Sequence, residues 1–164
     1  MLDLGTGESW RQLNQHPSTL RTFKDVPSYQ GLPFYQRSPG QPLTNIQEGL
    51  DGIELSLYGD IMYYSSLTSD YLYSIKTQYH RANPATDVLA SQRASNNVKT
   101  LGQRGRNANG FSGDSNGAIY MLIPEHNAVY NYNTTSLQTE AFVRDSRIIW
   151  PDSANVGFDG YILF

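Results

Sequence analysis

Apolar residues along this chain alternate with polar ones in short runs. Ile53, Leu55 and Leu57 alternate with polar neighbours, the period-two signature of a half-buried strand. Residues 61–65 and 71–75 read as the next two strands and 98–101 as a fourth, reached through an insert, 76–97. Within it 86–92 is expected to form a short helix capped by Thr86. A second series follows the same plan: Phe111, then 118–123, 129–132 and 140–143. Residues 148–151 lead into a third, whose final strand is expected over 161–164. At the front, 1–4 and 10–13 read as two short strands around a Gly-Thr-Gly-Glu-Ser turn.

The three series are copies of one pattern. DGIELSLYGDIMYYSSLTSDYLYSI (51–75), NGFSGDSNGAIYMLIPEHNAVYNY (109–132) and DSANVGFDGYILF (152–164) each run from an Asx residue through a short alternating run and a glycine turn to an aromatic-rich run. The turn glycines Gly59, Gly117 and Gly160 lie 58 and 43 residues apart. Periods of roughly 40–50 residues built from short strands indicate propeller blades, with an ordinary sandwich as the competing architecture. The expected fold is therefore an all-β β-propeller. Its expected parts are an outer half-blade (1–13), a connector (14–50), blades at 51–101 and 109–149, and an inner half-blade (152–164). That is about three blades, with two open apolar edges expected to promote self-association. The connector holds Pro17, Pro27, Pro33, Pro39 and Pro42, and 22–26 and 32–35 are its candidate edge strands.

Composition narrows the function classes. The 164 residues have a net charge of −3 with both signs interspersed, so no basic stripe points to nucleic acid or a membrane surface. Arg104 and Arg106, beside Gly102 and Gly105, read as a solvated loop. Without cysteine there is neither a disulfide framework nor thiolate chemistry. The longest uninterrupted apolar run, 118–123, is too short to span a bilayer. The opening Met1-Leu2-Asp3-Leu4-Gly5 has no basic n-region and no apolar h-region, so no signal peptide is expected in this chain.

Five phrases in order, DLGTGESWRQLNQHPS, DGIELSLYGDIMYYSSLTSDYLYSI, VKTLGQRG, EHNAVYNYN and IIWPDSANVGFDGYILF, resemble the Yellow/major royal jelly protein family. The resemblance implies a six-bladed β-propeller, usually secreted, in a family that ranges from pigmentation enzymes and nutrient proteins to amine-binding salivary proteins. Leu57-Tyr58-Gly59-Asp60 stands where the family usually shows a Ser-Pro-Asp-Gly turn, and the cysteines of insect members are missing. A cysteine-free microbial, fungal-like branch fits better.

Standard catalytic motifs are absent. Gly5-Thr6-Gly7 lacks the third glycine of a dinucleotide fingerprint, and 112–117 lacks the carboxylates at positions one and twelve of an EF-hand loop. His16, His80 and His126 have no metal-ligand spacing, and His126 reads as a turn residue. One constellation comes from the repeat: Asp51, Asn109 and Asp152 occupy equivalent positions where each copy would enter the central channel, with Glu48 just upstream. Such oxygen ligands could bind a small organic ligand or gather on calcium, as in the gluconolactonase propellers that this arrangement is similar to. The plainer alternative is that each Asx caps its own turn. Three functions are therefore weighed: a secreted propeller binding a small organic ligand at its channel, a calcium-dependent lactonase-like hydrolase, and a truncated inactive derivative. Asn133-Thr134-Thr135 is the chain's only sequon, making Asn133 a candidate glycosylation site on an exposed turn.

Overall fold

The computed structural model describes residues 1–22, 26–46 and 48–164. Two ribbons come first: β1 (Ser28–Tyr29) pairs with β2 (Leu32–Pro33), and β3 (Tyr35–Gln36) with β4 (Thr44–Asn45). Sheet one follows as an antiparallel meander of β5 (Leu50–Leu55), β6 (Ile61–Ser66), β7 (Tyr71–Lys76) and β8 (Lys99–Gln103). Between β7 and β8 lie the helices α1 (Thr77–Arg81) and α2 (Ala90–Asn96). Sheet two repeats the meander with β9 (Phe111–Gly113), β10 (Ala118–Ile123), β11 (Ala128–Asn133) and β12 (Gln138–Arg144). A last ribbon joins β13 (Asn155–Val156) to β14 (Ile162–Leu163).

The glycine turns recur in conformation as well as in sequence. Gly59, Gly117 and Gly160 have φ of 68°, 84° and 83°, a left-handed backbone that a residue with a Cβ enters only at a cost. At the middle turn Asp114 Oδ1 accepts from the N–H groups of Asn116 and Ala118, so 112–117 is a hairpin turn. The alternation along β6 explains its burial on both faces. Tyr63 enters the core shared with sheet two, with Leu72, Phe111, Ile119, Met121 and Tyr132. Met62 and Tyr64 point to the other side, where Leu13, Ile75 and Ala94 of α2 cover them. The Tyr64 hydroxyl meets Ser18 Oγ at 2.7 Å, and burial pushes its pKa up to about 12.

The two sheets meet through glycine. A Cβ on Gly52 would lie 2.5 Å from Phe111 Cε1 and 2.7 Å from the Asn109 carbonyl oxygen, so β5 and β9 approach as closely as backbone allows. Glu54 of β5 completes the seam by accepting from Gly113 N–H at 2.8 Å.

The expected all-β propeller, with about three blades of a six-bladed ring in this chain, is corrected. Among the described residues the sheets are small, separate and open, with no strand pairing that joins one to the next, and two helices make the fold a mixed one. The residues explain why. In the Ala-Ser-Gln-Arg-Ala-Ser-Asn run of α2, Ala90 and Ala94 are one helical turn apart and both fully buried, so a small-residue helical face covers sheet one. The flanking segments form ribbons of two-residue strands, too short to build further four-stranded sheets. Thr86 caps no helix; it lies in a turn where Asn83 Oδ1 accepts from Ala85 N–H. The two strands expected over 1–13 reduce to one bridge between Leu2 and Ser9. The candidate strand 32–35 is divided between β2 and β3, and the candidate over 22–26 falls largely outside the described residues.

Replacing Gly52 with alanine is expected to destabilise the protein by about 1–3 kcal/mol, because the new methyl must push two sheets apart. Urea denaturation measures this, and an unchanged midpoint would show that the seam is not tight.

Candidate functional site

The antiparallel meanders put the start of β5, the end of β6, the start of β7 and the end of β8 at one end of sheet one. The start of β9 and the 3-10 turn Pro124–His126 share the matching end of sheet two. Between them runs the crossing segment 104–110. Arg104, fully buried, anchors it. Its Nε donates to Ser65 Oγ at 2.7 Å, and its two Nη groups donate to the carbonyls of Ser66, at 2.7 Å, and of Ser69 and Arg106. A guanidinium offers five N–H donors in a fixed fork, and the turn after β6 supplies the oxygens to satisfy it. The solvated loop expected at Arg104 is thus corrected. Gly102 and Gly105, at φ of 112° and 115°, were the signal: glycines on either side let the chain pack tightly around the arginine.

The next residues of the crossing are held just as firmly. Glu125 has a buried side chain that accepts from the N–H and hydroxyl of Ser28 and from Asn107 N–H, with Arg106 Nε at 3.6 Å. Beside it, His126 closes the 3-10 turn, and its Nδ1 lies 2.8 Å from the Tyr130 hydroxyl. Burial, and Arg144 nearby, push the His126 imidazole below its usual pKa, so it is neutral at pH 7. The turn role expected of His126 is met, whereas nothing in the local pattern marked Glu125.

Asp51, Asn109 and Asp152 are brought together. Gly52 packs on Asn109, and a Cβ on Gly110 would lie 2.7 Å from the Asp152 carbonyl oxygen, which accepts from Gly110 N–H at 2.9 Å. Further along, Val156 N–H donates to Ser112 Oγ at 3.2 Å, so the three copies lie side by side in the same order. Their side chains are not equivalent. Asn109 is buried and its Nδ2 donates to the Pro151 carbonyl at 2.8 Å, making it a clasp between copies. Asp51, Asp152 and Glu48 are exposed. Lost hydration raises the Asp51 pKa, the negative charges of Asp152 and Glu48 raise it further, and Arg104 partly offsets them.

These carboxylates are the right donors for calcium. Yet among the described residues no three acidic or histidine side chains gather closely enough to hold a metal ion, so the residues as placed do not form a cation cage. Asn133 lies at the opposite end of sheet two, exposed, with its Oδ1 accepting from Thr135 and Ser136 N–H. No helix among the described residues is long and apolar enough to cross a membrane.

Two solved structures share the fold. A catalytically inactive variant of virginiamycin B lyase from Staphylococcus aureus, solved with quinupristin, superposes with a TM-score of 0.50 at 15% identity, over 73% of this chain and 35% of the lyase. A streptogramin B lyase does so with a TM-score of 0.51 at 10% identity, over 78% and 39%. The chain thus spans under two fifths of the length of either. No curated protein matches the sequence. With open sheets, the expected propeller binding a small organic ligand in a central channel is corrected: the described residues enclose no such channel. The sequence profile described as "Major royal jelly protein" matches residues 1–156, and the chain belongs to the major royal jelly protein family.

Proposed function

We propose that the end of the sheets carrying Asp51 and Asp152 is a hydrolytic site for lactones or similar cyclic esters. The observation that carries this reading is the crowding of Asp51. Its carboxyl, partly desolvated, feels the negative charges of Asp152 and Glu48 and lies within the field of a buried arginine. A carboxyl that binds its proton more tightly than usual is a stronger base once ionised, which suits it to take a proton from water and return it later. Two enzymes among the proteins that share the fold support a catalytic reading over a passive one.

In this scheme ionised Asp51 removes a proton from a water molecule as the water oxygen bonds to the ester carbonyl carbon. The tetrahedral intermediate collapses by breaking the ring C–O bond, and the departing alkoxide takes the proton back from Asp51. One water is consumed and a hydroxy acid is released. Lost hydration first, and then the charges of Asp152 and Glu48, raise the basicity of Asp51, and Arg104 limits how far it rises. Asn109 holds the Asp152 segment in place through the Pro151 carbonyl.

Asp51→Asn is expected to lower the rate of lactone opening by about a hundredfold or more, the range for loss of a positioned base. A pH-stat assay on five- to seven-membered lactones measures it; wild-type protein that opens none of them, or a fully active variant, would overturn the proposal. The wild-type rate should rise with pH through a single ionisation above the ordinary aspartate range.

Stability is expected to move the other way. A folded-state pKa above the unfolded one means that Asp51 favours folding only while protonated, and that this contribution is lost as pH rises through the folded value. Asp51→Asn should therefore raise the melting temperature at pH 7 by about 1–3 °C, allowing for solvent screening at an exposed site. The gain should fade as pH falls below about 4, near the ordinary aspartate pKa. Calorimetry at both pH values checks the sign, and a variant less stable at pH 7 would contradict it.

A further inference from the structure

At the opposite end of sheet one, away from Asp51, the β5–β6 turn and α1 line a half-open cavity of about 600 Å³. Ile53, Leu55 and Met62 supply apolar wall, and His80 and Arg81 of α1 bring the polar groups. This is the size and character of a small-molecule site, mostly apolar with a few polar groups.

Its polar groups have a definite chemistry. Glu54, which also lines the cavity, is committed to the protein, since its two oxygens accept from Leu55 and Gly113 N–H. Arg81 Nη2 is held by Thr77 Oγ1 at 2.7 Å and the Gly59 carbonyl at 3.2 Å, which fixes the guanidinium at the cavity. Its Nε and Nη1 donors have no hydrogen-bond partner among the described residues. His80 Nδ1 is buried and likewise has no partner. Burial lowers the pKa of the imidazole, leaving it a neutral hydrogen-bonding group. A fixed guanidinium with free donors suits a carboxylate.

We propose that this cavity binds a small ring-bodied monocarboxylate, with the ring against Ile53, Leu55 and Met62 and the carboxylate on Arg81. The site is separate from the acidic end and does not depend on the hydrolytic reading.

Isothermal titration with 3-hydroxybenzoate and 3-hydroxybenzamide as probes tests this. The acid is expected to bind saturably and at least tenfold more tightly than the amide, and Arg81→Gln should remove most of that preference. Because Arg81 also braces the Gly59 turn, Ile53→Trp serves as a second variant: it fills the cavity from an exposed strand position, so binding should be lost while the circular dichroism spectrum and melting temperature are kept. Asp51→Asn should bind the acid as the wild type does. Equal affinity for acid and amide, no saturable binding at millimolar probe, or wild-type binding by the Ile53→Trp variant would overturn the proposal.

Discussion

The buried guanidinium of Arg104 is the constraint on which the arrangement depends. It ties the turn after β6 to the segment that leaves β8, by hydrogen bonds to Ser65, Ser66, Ser69 and Arg106. A desolvated cation is tolerable only when its donors are satisfied, so the oxygens around it must hold their places. The crossing to sheet two consequently starts from a fixed point and direction. Asn107, two residues beyond Arg106's neighbour Gly105, is then caught by Glu125, and Asn109 by the Pro151 carbonyl. The three copies of the repeat lie side by side because the connection between the first two has no slack.

That alignment has an electrostatic consequence. Glycines at 52 and 110 let the copies approach within backbone distance, which brings the charges of Asp51 and Asp152 near each other. Like charges held together by packing work against stability and raise proton affinity, a pattern found where a carboxyl serves chemistry. The fold supports the strain with interactions that do not touch the carboxylates: the buried amide of Asn109, the Glu54 link across the seam, and the shared core around Tyr63 and Phe111.

Much of the strand plan was legible in the sequence. Runs such as 61–65 and 118–123 combine β-branched and aromatic residues with glycine turns at one recurring place, and both the strands and the left-handed turns form there. The repeat also identified which Asx residues would come together. That the sheets stay separate was not legible, because a repeat specifies each unit but not how one unit joins the next. Arg104 was misread because most of its partners are main-chain carbonyls, which leave no trace in the residue pattern. Asn109 looked equivalent to Asp51 and Asp152, but the amide can donate where a carboxylate cannot, and it turned inward to do so. The His80 and Arg81 cavity was hidden because α1 was not expected at all.

The central claim is that packing of the repeat copies crowds Asp51. Carboxyl carbon NMR of selectively labelled protein follows its titration directly. The account predicts a midpoint above the ordinary aspartate range that moves part of the way back in Asp152→Asn, because lost hydration remains when the neighbouring charge is removed. An ordinary midpoint for Asp51 in the wild type, or one that Asp152→Asn leaves unmoved, would contradict it.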